Sequence, residues 1–209
     1  MTSGNEVRVR RAADRAATAW KNGGGVTREI AARPEGAGTG DFEWRVSLAD
    51  VAADGPFSAF PGIDRTLTLA EGAGMDLTVA GAHRLVDERY APRHFAGDAP
   101  TDCRLLGGPV VNFNVMYRRA TTVSETAVVR GETALAAAEP GETLLVVALD
   151  GTALLEAATA GRAVELALHD AALLPTGLAC RVRTEGHAAV VRFRPRADRA
   201  GLAGPAARA

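Results

Sequence analysis

Three segments carry residues whose types and spacing could do chemistry. The first is Asp54 to Gly72, DGPFSAFPGIDRTLTLAEG. Pro56, Pro61 and Gly62 break it into turns, Phe57 and Phe60 sit among them, and Arg65 opens an apolar-alternating run. An arginine beside aromatics at the mouth of a β-barrel holds a carboxylate through its bidentate fork. The competing reading is a surface arginine paired with Asp64 or Glu71. The second segment is GGPVVNFNVMYRR, Gly107 to Arg119. Asn112 and Asn114 lie on one face of an apolar strand, with Arg118 further along that face. Asparagine is depleted in strands, so two on one face suggest a lined cavity or a buried hydrogen-bonded network; otherwise the face is simply wetted. The third segment is WKNGGGVTREIA, Trp20 to Ala31. Its three glycines give backbone freedom. A plain hairpin turn is the competing reading, and a turn alone would not need Trp20, Asn22, Thr27 and Glu29 together. A phosphate loop does not fit: no GxGxxG opens a helix, and no Gly-Lys-Ser/Thr follows.

Covalent and metal chemistry have less to work with. Ser58 and Cys103 are nucleophiles in principle, but neither a GxSxG elbow nor a Cys-His pair accompanies them. Glu29 or Glu43 could serve as a base if buried beside a ligand. His83 and His94 are eleven residues apart and His169 and His187 eighteen, and neither is ligand spacing. Cys103 and Cys180 read as packed, reduced thiols of a cytoplasmic protein.

The elements that must position these residues are strands. Period-2 alternation puts Phe42, Trp44, Val46 and Leu48 on one face and Glu43, Arg45 and Ser47 on the other. The same pattern groups Met75, Leu77 and Val79; Phe113, Val115 and Tyr117; Val164, Leu166 and Leu168; and Val191 with Phe193 against Arg192 with Arg194. Short strands spaced by turn signals indicate an all-β sandwich or barrel. The best helix candidate is the alanine-rich Arg10 to Ala19, and SLADVAADG could hold one turn. In TALLEAATAG, Asp150-Gly151 and Gly161 read as turns between strands despite the helical propensity.

At 209 residues the chain suits one large domain or two small fused ones. Apolar residues at 47% exclude wholesale disorder. With Lys+Arg 24 against Asp+Glu 25, no global basic field exists to hold a nucleic acid. Apolar runs such as Leu144 to Leu149 fall far short of the roughly 20 residues a bilayer demands, and the charged amino terminus has no apolar signal core. Aromatics concentrate in the first half. The expected division is therefore residues 1–120 with the pocket, 121–195 mainly structural, and a frayed tail over 196–209.

The ordered segments WKNGGGVTREI, FSAFPGIDRTLTLAEG and GPVVNFNVMYRR resemble the HutD/Ves family, and EWRVSLADVAADGPFS and HFAGDAPTDCRLLGGP match it too. Asn112 departs from the acidic residue usual ahead of the Phe-Asn pair. The family is similar to double-domain cupins, so the resemblance implies an all-β bicupin of two antiparallel barrel halves with little helix. The metal-binding cupin pattern of two histidines, a glutamate and a glycine falls on Ser58, Phe60, Arg65 and Gly72. The later pattern lands on His169, Pro175, Gly177, Cys180 and Thr184. Arginine in place of the glutamate puts a positive charge where a cation would sit; at ~4 Å that repulsion is about 4 kcal/mol per charge product at an effective dielectric of 20. The expectation is thus a barrel that takes anions, with no metal or other cofactor. Trp20, Asn22, Thr27, Arg45, Phe60, Arg65, Asn114 and Arg118 are expected to line the pocket. By resemblance the ligand is a formylated or formiminated glutamate or urocanate, and the role is non-catalytic sensing or limiting of an intermediate of histidine utilisation. A metal-independent isomerase or hydrolase, and a stress-related interaction protein with a vestigial pocket, are the alternatives. A homodimer is left open.

Overall fold

A computed structural model describes residues 6–157 and 163–197. In chain order the strands are β1 (Arg8–Arg10), β2 (Ala17–Ala19), β3 (Gly25–Arg33), β4 (Trp44–Val51), β5 (Gly55–Phe57), β6 (Ile63–Glu71), β7 (Met75–Val79), β8 (Ala82–Val86) and β9 (Arg93–Ala96). They continue with β10 (Thr101–Leu105), β11 (Val110–Arg118), β12 (Thr122–Leu135), β13 (Thr143–Asp150), β14 (Ala153–Ala157), β15 (Ala163–Leu166), β16 (Ala171–Leu174) and β17 (Cys180–Pro195). One 3-10 turn, Ala12–Asp14, is the sole helical element among the described residues, and no helix there is long and apolar enough to cross a membrane.

Three sheets result. The middle one runs β2-β3-β4-β11-β6-β9, a second runs β5-β10-β7-β8, and the third runs β1-β16-β13-β17-β14-β15 with β12 also on β17. The central strands β4, β6 and β11 of the middle sheet are buried on both faces. Period-2 alternation explains one of them: Trp44, Val46, Leu48, Phe113 and Val115 pack on Leu145, Val147, Val191 and Phe193 of the third sheet. On the other face, Val51, Leu67, Leu69 and Val110 meet Met75, Leu77, Val79 and Cys103 of the second sheet. The third sheet curls over its own interior, which holds Leu144, Val146, Leu155, Leu166 and Val182. The architecture is all-β, as the strand pattern leads one to expect.

Several local expectations are corrected. Phe42 does not continue the face of Trp44: it precedes β4 and packs with Ile63 and Met116. Arg10 to Ala19 is not a helix but β1, the 3-10 turn and β2. Long-range pairing overrides alanine propensity there, with Arg8 opposite Leu173 and Ala17 opposite Arg28. The SLADV part of SLADVAADG is extended in β4. Leu168, expected to share the face of Leu166, lies beyond β15 and is exposed. The strand reading of ALLEA holds in β14, whereas Gly161 and residues 198–209 of the tail lie outside the described residues. Asp150-Gly151 does turn the chain between two strands, and it does so at a corner, because β13 and β14 both pair with β17 and not with each other. That corner presses on β17: a Cβ at Gly186 would lie 2.0 Å from the Asp150 carbonyl oxygen.

The expected division near residue 120 falls between β11 and β12, but β1 crosses it and joins the third sheet. Buried Asp170 pins this amino-terminal arm. Its carboxylate accepts from the Ala12 amide (2.7 Å), the Arg11 guanidinium (2.6 Å) and the Ala167 amide (3.1 Å). Burial pushes the Asp170 pKa up, and donation from Ala12, Arg11 and Ala167 outweighs it, so the net shift is downward. A lowered folded-state pKa means stability that is present above the unfolded value near 4 and is lost as pH falls below it. Asp170→Asn is therefore expected to cost about 2 kcal/mol at pH 7 and less at pH 3, read from urea denaturation at both pH values.

Candidate functional site

Strand register sets the site. Across β6, β11 and β4 the paired triplets are Arg65–Met116–Arg45, Leu67–Asn114–Ser47 and Leu69–Asn112–Ala49. On β3, Glu29 pairs with Ser47 and Thr27 with Ala49. Directly paired residues share a face, so Thr27, Glu29, Arg45, Arg65, Asn112 and Asn114 all lie on the face turned away from the third sheet. This polar set interrupts an otherwise apolar surface.

Arg65 is its centre. The side chain is buried, and Nη2 donates to Asn114 Oδ1 at 3.2 Å. The guanidinium carbon lies 5.2 Å from the Phe57 ring centroid, 5.9 Å from that of Phe60 and 5.1 Å from that of Phe95. Aromatic faces attract the cation, but they do not neutralise it. Nε has no hydrogen-bond partner, and no ion pair to Arg65 exists among the described residues. The surface-pair alternative is not realised: Asp64 pairs with Arg119 at 2.9 Å, and Glu71 faces His169 at 3.7 Å. Burial pulls the Arg65 pKa down to about 10, so the group stays charged at neutral pH. A buried charge without a counter-ion is costly, and an incoming carboxylate would relieve it.

The other expected residues divide by position. Phe60 is half-buried and contributes to the aromatic cage. Trp20 donates from Nε1 to Thr27 Oγ1 at 2.8 Å and meets Phe57 edge-on at 6.1 Å, so these two brace the cage wall. Arg45 is compensated, because its Nε donates to Glu29 Oε2 at 2.7 Å. Asn22 is exposed and accepts from the Gly24 amide at 3.1 Å; it closes the hairpin turn and stays apart from the guanidinium. Gly25 is needed there because a Cβ would lie 2.5 Å from the Asp50 carbonyl oxygen. Arg118 donates to the Gly40 and Phe42 carbonyls at 3.0 and 3.4 Å, tying down that segment. Asn112 is fully buried; Nδ2 lies 3.7 Å from Met75 Sδ, and Oδ1 has no partner. Phe57 and Phe95 complete the cage and fall outside the expected lining. Phe95 is brought in by its pairing with Arg65 across β6 and β9, which no local pattern discloses.

No cluster of three metal-competent side chains exists among the described residues. His94 meets Thr66 Oγ1 at 2.8 Å, His83 meets Asp76 at 3.1 Å and His187 meets Asp150 at 3.4 Å. Ser58 is exposed and Cys180 lies inside the third sheet's core. Cys103 and Cys180 are both free and buried, and burial pushes each thiol up to about 11. Thiolate is the reactive form, so iodoacetamide at pH 8 is expected to label neither cysteine in the native protein and both in urea, counted by intact mass.

The comparisons agree with this architecture. The HutD family model matches residues 12–191. An uncharacterized 21.2 kDa protein of the hutC 3′ region in Pseudomonas putida is 39% identical over 113 residues, 54% of this chain and 59% of that protein. Protein Ves of Cronobacter sakazakii is 41% identical over 101 residues, 48% of this chain and 54% of that one. The matched region thus spans a little over half the length of these curated relatives. The solved structure of HutD from Pseudomonas fluorescens SBW25 superposes with a TM-score of 0.79 at 32% identity, covering 92% of this chain and all of that one. A point mutant of Bacillus subtilis oxalate decarboxylase shares the fold alone, with a TM-score of 0.59 at 10% identity over 93% of this chain and 78% of that one. With the family match running from the amino-terminal arm into β17, the chain belongs to the HutD family.

Proposed function

We propose that this protein binds a small carboxylate at Arg65 without turning it over, and so senses or limits an intermediate of histidine utilisation. The observation that carries this reading is the buried, uncompensated Arg65 guanidinium inside a cage of three phenylalanines. A carboxylate would supply the missing charge and accept from the fork, Asn114 would orient it, and the rings would exclude water. Glu29, the base a metal-free enzyme would call on, is held in an ion pair by Arg45. The position of the Pseudomonas putida relative in the hutC 3′ region favours a formylated or formiminated glutamate, or urocanate, as the acid.

The test is a thermal-shift series with N-formylglutamate, formiminoglutamate and urocanate at millimolar concentration, followed by chromatography of the recovered acid. A binder gains melting temperature by mass action and returns the acid unchanged. Turnover would replace this reading with an enzymatic one, and the lack of a shift with all three acids would remove it.

A further inference from the structure

A second cavity shares Glu29 and Arg45 with the polar set described above but does not include Arg65 in its lining. This cavity, of about 730 Å³, opens between the amino-terminal arm, β3 and the start of β4. Arg8, Arg10, Arg11, Arg15, Arg33 and Arg45 line it, against the carboxylates of Asp14, Glu29 and Glu35. With Glu43 and Asp170, which pair with two of these arginines from outside the lining, six cations face five carboxylates, a formal +1 in a chain whose net charge is -1. The volume falls within the range of small-molecule sites, roughly 300–1,000 Å³.

Four of these arginines have carboxylate partners. Arg10 pairs with Glu35, Arg45 with Glu29 (2.7 Å), Arg33 with Glu43 (3.2 Å) and Arg11 with Asp170 (2.6 Å). Arg8 and Arg15 make no ion pair among the described residues. Arg15 donates only to carbonyls, from Nη1 to His169 at 2.6 Å and from Nη2 to Arg10 at 2.9 Å, and its Nε is buried without a partner. Carbonyl oxygens satisfy hydrogen bonds but do not cancel a unit charge. The arm is also held in place, by β1 on β16 and by the Asp170 carboxylate. Its arginines are therefore presented by a fixed wall, facing a second wall made by β3 and Arg45.

We propose that this cleft binds a small molecule bearing two or more negative charges, a phosphate ester or a polycarboxylate. Two guanidiniums without a carboxylate partner, Arg8 and Arg15, call for more than one anionic group. One wall belongs to the third sheet and the other to the middle sheet, so the bound molecule clamps the two together.

Inorganic pyrophosphate and citrate are the probes, with acetate as the singly charged comparator, titrated calorimetrically into the full chain at constant ionic strength. The tighter of the two polyanions identifies the source chemistry, and acetate is expected not to compete. Arg8→Ser with Arg15→Gln is expected to weaken that polyanion by about tenfold or more, since charge-assisted guanidinium contacts are lost. Asp14→Asn changes an exposed residue, leaves the arm's anchors alone and is expected to tighten binding about two- to threefold by removing a lining negative charge. Arg65→Met is expected to leave this affinity unchanged. The proposal fails if neither polyanion binds at millimolar concentration, or if the arm variants and Asp14→Asn leave affinity where it was. It also fails if Arg65→Met abolishes binding, which would put the polyanion at the phenylalanine cage and leave the Arg65 reading intact.

Discussion

Arg65→Met is expected to abolish the carboxylate-dependent rise in melting temperature and to weaken binding of the responsive acid by about thirtyfold or more. Removing one partner of a desolvated, hydrogen-bonded charge pair costs about 2–5 kcal/mol of affinity, and about 1.4 kcal/mol is a factor of ten. Methionine suits the space because Phe57, Phe60 and Phe95 already surround the side chain, and thioether–aromatic contacts are favourable. The ligand-free variant should therefore fold, which separates lost binding from lost structure. Arg65→Lys keeps the charge but not the planar fork and should fall between wild type and the methionine variant. Asn114→Ala should weaken binding less, because it removes the group that orients the fork and not the charge itself. If Arg65→Met retains a full-sized shift, the carboxylate does not sit there.

The second large effect concerns stability. Phe193→Ala is expected to lower the unfolding free energy by about 3–5 kcal/mol and the melting temperature by roughly 10 °C. Phe193 is 2% exposed and lies on β17, the strand that pairs with β12, β13 and β14. It stacks on Trp44 of β4 with centroids 4.4 Å apart and planes 9° from parallel. This contact joins the third sheet to the middle sheet at the apolar seam. Trp44→Ala should cost a similar amount, and the double variant should cost less than the two singles together by about 1 kcal/mol, because each single change already removes the stack. Urea denaturation of the four proteins provides the cycle. A loss below about 1 kcal/mol for Phe193→Ala, the level of an ordinary substitution, would mean that the seam is held elsewhere.

Much of the fold was legible because strand periodicity is local. The alternation in NFNVMYR separates Phe113 and Val115 from Asn112 and Asn114, and the structure keeps them on opposite faces of β11. Alternation says which residues share a face; it does not say what covers that face. Both faces of β4 and β11 are buried, because the middle sheet lies between two others. Arg45 and Ser47, which a two-sided reading would send to solvent, are therefore largely covered. The error over Arg10 to Ala19 has the mirror-image cause: alanine favours helix by a few tenths of a kcal/mol per residue, and pairing to β16 and β3 easily exceeds that. Within the candidate site, the placement of Arg65 among Phe57 and Phe60 could be read from their closeness in sequence. The separate placement of Asn22 and Arg118 could not, because both are decided by which backbone groups the loops present to them.

The sequence by itself determined an all-β chain, which residues share a face in strands such as β4, β7 and β11, and the ordered motifs that mark its family. Only the tertiary structure decided that Arg65 is buried without a carboxylate while Arg45 has one, and that the arginines of the arm face a cleft. Charge compensation depends on neighbours delivered by long-range strand pairing: Asn114 reaches Arg65 across 49 residues, and Asp170 reaches Arg11 across 159. Residue type and spacing fix what a side chain can do; the stacking of the sheets fixes whether anything within the protein already satisfies it.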